Sequence, residues 1–290
     1  MRKLLIVGCG DIGRRVARLA QAQGDSVTAL VRTAASRDEL HKMGIDVIQA
    51  DLDGAIAPLD VDGRWILYLA PPPAKGKEDP RMRHLLRALR GTPRRLLYLS
   101  TTGVYGDCQG EWVDETHAVA PAAERAMRRL DAERQLSACC SDKGWSFVIM
   151  RVAGIYGRSR LPLQRLRERQ PVLRAGQAPY TNRIHEDDLA RIALGLLERG
   201  VDGEVYNVSD GHPDTMSDYF KLVASYAGLP QPPEIDMHEA SRSLTAGMLS
   251  YLQESRRISN RKMMDLLGIK LRYATLEEGL REIFANHPDD

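Results

Sequence analysis

Apolar and polar positions over the first 157 residues switch repeatedly between two periods. Short apolar runs at residues 4–7, 26–31, 46–49, 65–69, 96–100 and 146–151 have the length and composition of buried strands. Between them, residues 13–23, 37–43, 79–90 and 122–141 repeat apolar positions at helical spacing. Ile12, Val16, Leu19 and Ala20 make one such face, and Met82, Leu85, Leu86 and Leu89 another. Strand–helix alternation predicts an α/β fold, a parallel sheet covered by helices on both faces. Right-handed crossovers then give a doubly wound topology.

The first strand breaks at once into Gly8-x-Gly10-x-x-Gly13, and a helix follows. In that setting the glycines read as a dinucleotide-binding (Rossmann) turn. Gly8 permits the tight turn, Gly10 lets a pyrophosphate approach the backbone, and Gly13 packs helix on strand. Asp11 and Ile12 lie inside the loop, and a carboxylate at Asp11 suits a phosphate site only if it points outward. Cys9 reads as a small filler. An acid at the end of the second strand commonly binds the adenosine ribose, but here Arg32 ends it. A guanidinium pairs with a 2′-phosphate where a carboxylate would repel it, so NADP(H) is preferred and NAD(H) allowed. Ser36 and Arg37 are further candidates for that phosphate. Asp51 and Leu52 are expected beside the adenine, and Ala70 and Pro71 along the cofactor path.

After Arg151 the pattern loosens. Residues 158–179 carry prolines and charges without a clean strand. Residues 188–199 read as a helix capped by Asp187, 204–208 as a late strand, and 214–227 and 260–267 as helices. We therefore expect a cofactor domain over 1–157 and a smaller substrate-binding lobe over 158–290, with the strand at 204–208 returning to the sheet. The lobe is expected to close over the sheet's carboxyl edge.

Composition narrows the class. The chain is 43% hydrophobic and 28% charged with a net charge of +2, so bulk electrostatics give no case for nucleic acid. The arginines between 81 and 95 read as the solvated side of a helix. Four cysteines, with Cys139 and Cys140 adjacent, form neither a metal-type pair nor a disulfide framework, as in a reducing cytoplasm. No metal site is expected. No apolar stretch reaches membrane-spanning length, and the first strand starts too early for a signal peptide.

Three further segments carry a resemblance. Ser100-Thr101-Thr102-Gly103-Val104-Tyr105-Gly106-Asp107, Arg151-Val152-Ala153-Gly154-Ile155-Tyr156-Gly157 and Asn182-Arg183-Ile184-His185-Glu186-Asp187-Asp188-Leu189-Ala190 follow the glycine loop in order. Together they resemble the extended short-chain dehydrogenase/reductases, the NAD-dependent epimerase/dehydratase family. The resemblance implies that Thr101 polarises a substrate carbonyl or hydroxyl, that Ser100 lies by the cofactor, and that a Tyr-x-x-x-Lys follows on the next helix with a glutamate four residues beyond. Glu133 matches the glutamate, which puts Arg125 at the tyrosine and Arg129 at the lysine. An arginine stays protonated and cannot act as general base. The chain is thus similar to the atypical, YeeZ-like branch that lacks the tyrosine.

Tyr105, Tyr156, His185 and His117 are the candidates for a replacement acid or base. Arg125, Tyr156, Arg183 and His185 are expected at the substrate, with Arg125, Arg183 and Arg158 suited to an anionic group such as a phosphate. The implied function is an NADP(H)-binding oxidoreductase or nucleotide-sugar epimerase/dehydratase-like enzyme. Its partner is a small-molecule substrate, phosphorylated or a nucleotide sugar, and the chain is a monomer or homodimer. The alternative is a catalytically inactive NADP(H)-binding sensor or scaffold.

Overall fold

β1 (Lys3–Val7) lies mid-sheet, with Leu4 to Val7 buried, so the first apolar run serves both faces. The computed structural model describes residues 1–244 and 246–285. Among them, β1 is joined by β2 (Ser26–Val31), β3 (Asp46–Gln49), β4 (Trp65–Tyr68), β5 (Arg95–Thr101), β6 (Phe147–Val152) and β7 (Val205–Val208). The order is β7-β6-β5-β4-β1-β2-β3, and every pairing is parallel. The chain order reverses between β1 and β4, which leaves a crevice at their carboxyl ends.

Helices cover both faces. α1 (Asp11–Ala22) and α6 (Glu186–Arg199) pack on one side, where Val16, Ala17, Ile192 and Leu196 are buried with Ile6 and Leu97. α3 (Pro80–Ala88) and α4 (Glu124–Lys143) pack on the other, with Met82, Leu85 and Leu136 against Val7, Ile66 and Tyr98. α2 (Ala34–Lys42) follows β2 and is capped by Thr33, whose side chain accepts from Ser36 N. Among the described residues no helix is long and apolar enough to cross a membrane.

The C-terminal lobe has its own core. α5 (Leu163–Arg167), α7 (Met216–Tyr226) and the helix Leu276–Ala285 bury Leu166, Phe220, Val223 and Leu280 with Tyr156. Its link to the sheet is the three-residue strand Gly154–Tyr156, which pairs in parallel with Arg183–His185. The helix expected at 188–199 starts two residues earlier, at Glu186, and its cap is not Asp187. His185 is the extended N-cap residue, and its Nδ1 accepts from Asp187 N at 3.2 Å. Three acids then fill the first turn, where the helix dipole favours them.

Candidate functional site

Two cavities meet at the sheet's carboxyl edge. The first follows the glycine loop. Gly8 leaves β1 with φ +84°, and a Cβ there would lie 2.5 Å from the Ala70 backbone, so both conformation and space require glycine. A Cβ at Gly10 would meet nothing within 4 Å, whereas one at Gly13 would come 3.1 Å from Cys9 Sγ. Gly10 thus faces an open cradle at the start of α1, whose first turn has no side-chain cap. The cleft there encloses about 520 Å³, with Asp11, Ile12, Arg32, Thr33 and Ser36 on its walls. It runs on, past Gly8, Val31, Arg32 and Pro71, into a hollow of about 190 Å³ lined by Ala50, Asp51, Leu52, Ala70 and Arg81. Burial pushes the Cys9 thiol up to about 12, so it is inert.

The charges along this cleft are arranged. Arg32 is exposed and only loosely paired, with Nη1 3.7 Å from Asp53 Oδ2. Asp53 is instead gripped by Arg81 through bonds of 2.6 and 2.9 Å, which hold its carboxyl below the usual range. Arg37 turns away to Asp38 and Gln49. At the glycine loop, Arg160 Nη2 reaches Asp11 at 3.2 Å and Arg15 lies 3.5 Å from it. Burial works to raise the Asp11 carboxyl, but Arg15 and Arg160 outweigh it and hold the group below its ordinary value.

α4 divides the two cavities. Arg125, Arg129 and Glu133 recur every fourth residue and share one helix face. Glu133 is buried, takes the hydroxyl of Ser100 and receives Arg151 Nη2 at 2.8 Å. This pins α4 to β5 and β6 and fixes the two turns before it. Arg129 Nη1 donates to Leu99 O at 2.8 Å and to the Tyr98 hydroxyl at 3.3 Å, and the residue lines both cavities. Arg125 extends toward the helix Ala246–Leu252.

The second cavity, about 590 Å³, lies between β5, α4 and the C-terminal lobe. Thr101, Thr102 and Gly103 form its floor, and Thr101 Oγ1 accepts from Gly103 N at 3.1 Å. Three arginines in its wall stack on aromatic rings. Arg183 lies 4.0 Å over Tyr219, Arg165 4.5 Å over Phe220 and Arg125 3.8 Å over Tyr251. Among the described residues none of these three, nor Arg129, forms an ion pair, whereas Arg256 in the same wall is matched by Glu254 at 3.0 Å. Arg183 Nε is buried without a partner, and burial pushes both Arg183 and Arg165 below the ordinary arginine range. Gly154 makes room for Arg183, whose Nη1 would otherwise meet a Cβ at 2.9 Å.

Of the residues singled out from sequence, the cofactor cleft gathers Gly8, Gly10, Asp11, Ile12, Gly13, Arg32, Asp51, Leu52, Ala70 and Pro71 on its walls. Thr101, Arg125 and Arg183 line the second cavity. Four of the candidate side chains line neither cavity. The Ser100 hydroxyl is committed to Glu133. Tyr105 is buried with its hydroxyl 2.8 Å from Asn207 Oδ1, its ring under Arg151, and burial pushes its phenol up. Tyr156 is buried in the lobe core and bonded to Thr275 O, and burial raises it as well. His185 packs between Tyr156 and Tyr273 while capping α6, and burial lowers it. Arg158 is exposed and His117 half-buried, and neither lines either cavity. Sequence reading missed Arg81, Arg160, Arg165, Tyr219, Phe220 and Tyr251. Of these only the adjacent Tyr219-Phe220 pair, an aromatic platform able to take a cation, offered a local cue.

The model for the NAD dependent epimerase/dehydratase family matches residues 81–209, from α3 through β7. Over those residues the chain is similar to the NAD-dependent epimerase/dehydratase family. Protein YeeZ of Escherichia coli (strain K12) is 28% identical over 251 residues, covering 81% of this chain and 86% of that protein. The solved structure of a functionally unknown conserved protein from Silicibacter pomeroyi shares 29% identity at a TM-score of 0.80, covering 99% of both chains. UDP-glucose 4-epimerase of Thermotoga maritima, solved with UDP-glucose, superposes with a TM-score of 0.76 over 99% of this chain and 100% of its own, at 18% identity. That last likeness is one of fold alone.

Proposed function

We propose that the chain binds NADP(H) along the glycine-loop cleft and acts on a small anionic substrate in the adjoining cavity, as an oxidoreductase or epimerase-like enzyme. The observation that carries this is Arg129, which together with Ile155 lines both cavities where they adjoin. The residues fit a dinucleotide: Gly10 leaves an open cradle at an uncapped helix start, and Asp11 is turned to Arg15 and Arg160. Gly8, Gly10, Ile12 and Gly13 would hold the pyrophosphate, Asp51, Leu52 and Ala70 the adenosine, and Arg32 with Ser36 a 2′-phosphate. When bound, the cofactor supplies the hydride acceptor or donor.

The chain's own residues bind and orient. Arg129, fixed by Leu99 O, presents a permanent cation at the junction. Arg125, Arg165 and Arg183, placed over their rings and without a carboxylate partner among the described residues, suit a phosphate. Thr101 places a hydroxyl on the cavity floor to polarise a substrate oxygen. Incubation with NADPH and a panel of phosphorylated carbonyl compounds and nucleotide sugars tests the reading. Turnover of one of them is expected, and tight NADPH binding with no turnover across the panel contradicts it.

One observation favours a second reading, a non-catalytic NADP(H) sensor. Arginine occupies the positions matched to the family's tyrosine and lysine, and the Tyr105 and Tyr156 phenols are locked in the core. A sensor must bind NADPH and NADP+ with different affinities, because a ligand pair bound equally shifts no population. Equal affinities for the two forms remove it.

A further inference from the structure

The arginine cavity opens into a second hollow of different chemistry. About 60 Å³ is enclosed by Val172, Leu173, Leu244, Met248 and Leu252 together with Pro171. Arg165, Met216, Phe220 and Tyr251 line both spaces, so the hollow is an annex of the larger cavity. Arg165 stands at the boundary. Its guanidinium carbon lies 4.5 Å over the Phe220 ring, and its Nε donates to Gln170 Oε1 at 2.9 Å. Apart from Arg165 and the Tyr251 phenol, the lining side chains carry no hydrogen-bonding group beyond methionine sulfur.

This division of chemistry discriminates between occupants. A sugar ring or nucleobase entering the annex would leave water with hydroxyl or carbonyl groups that no lining side chain beyond the boundary can satisfy. An aliphatic or aryl group gives up nothing there and gains by burial. The charged arginines lie on the other side of the boundary and take the polar end. Building on the anionic-substrate reading above, we propose that the annex is a subsite for an apolar group. The substrate then joins a phosphate-type anion, held by Arg165 and Arg183, to a short hydrocarbon group seated among Val172, Leu173, Met248 and Leu252.

The test is isothermal titration of the NADPH-saturated full chain with inorganic phosphate, methyl, propyl and butyl phosphate, and glucose 1-phosphate. Saturation with NADPH occupies the cofactor cleft. Affinity is expected to rise about fourfold for each methylene added. Butyl phosphate should bind more tightly than glucose 1-phosphate, and Leu252→Asn should flatten the series. Equal or falling affinity from methyl to butyl phosphate, or preference for glucose 1-phosphate, overturns the annex while leaving the anion site standing. No binding of any phosphate, inorganic phosphate included, overturns the anionic-substrate reading and the annex with it.

Discussion

Arg125 holds its guanidinium 3.8 Å over the ring of Tyr251 while its Nη1 donates to Ser250 Oγ at 2.8 Å. Arg125 therefore ties α4 to the C-terminal lobe across the cavity proposed for the substrate. Arg125→Ala removes this tie and one of the unpaired cations. Inorganic phosphate affinity of the NADPH-loaded protein should fall about tenfold, equivalent to about 1.4 kcal/mol, a size expected for one charge-assisted hydrogen bond. Calorimetric titration checks this, and unchanged affinity would show that Arg125 serves structure alone.

The glycines of the loop make separable demands. Gly8→Ala combines φ +84° with a Cβ 2.5 Å from Ala70, so it should destabilise the fold by roughly 2–4 kcal/mol. Gly10→Ala meets nothing within 4 Å and should leave the melting temperature of the free protein within about a degree. The same alanine fills the proposed cradle, so the rise in melting temperature on adding NADPH should disappear. A Gly10→Ala protein still stabilised by NADPH would move the pyrophosphate elsewhere.

Glu133 joins α4 to two strands through Ser100 and Arg151. Glu133→Gln leaves the Arg151 guanidinium buried without its carboxylate, which costs about 3–5 kcal/mol. Ser100→Ala removes one neutral partner and should cost about 1 kcal/mol. Urea denaturation of the two variants distinguishes them, and similar losses would mean that the ion pair contributes little.

Asp210 supplies a pH dependence. It is buried, its Oδ2 has no partner, and burial pushes its carboxyl up to about 7. A folded pKa above the unfolded value of about 3.9 means that stability is fully present below about pH 4 and is lost as pH rises through about 7. The loss is at most of the order of 4 kcal/mol. Asn at this position keeps the acceptor for His212 N without the charge, so Asp210→Asn should melt above the wild type at pH 8 and approach it at pH 4. Thermal melts over that range give the answer, and parallel curves for the two proteins would refute the assignment.

The parts of the molecule built from long periodic elements were legible in the sequence. Strands 26–31 and 46–49 appear at the predicted bounds, and the glycine loop follows the first strand as expected. The lobe was less legible because its chemistry rests on very short elements. Gly154–Tyr156 and Val172–Leu173 are too brief to show a period. The tyrosines misled for a related reason. Motif position puts Tyr105 at the sheet's carboxyl edge, but the buried Glu133–Arg151 pair draws its ring inward. The arginine stacks join α5 and the strand Arg183–His185 to α7, and α4 to the helix Ala246–Leu252, contacts that only the folded chain creates.

What the glycine-loop cleft binds can be measured most directly at Arg32. It is exposed, loosely paired and set in both parts of the cleft. Fluorescence titration of the wild type and Arg32→Asp with NADPH and NADH gives the decisive comparison. The wild type should bind NADPH more tightly, and Arg32→Asp should weaken NADPH by about 10- to 100-fold, the worth of a charge-assisted pair, with little change for NADH. Failure of the wild type to bind either dinucleotide would contradict the central claim, and an unchanged NADPH preference in the variant would contradict the role of Arg32.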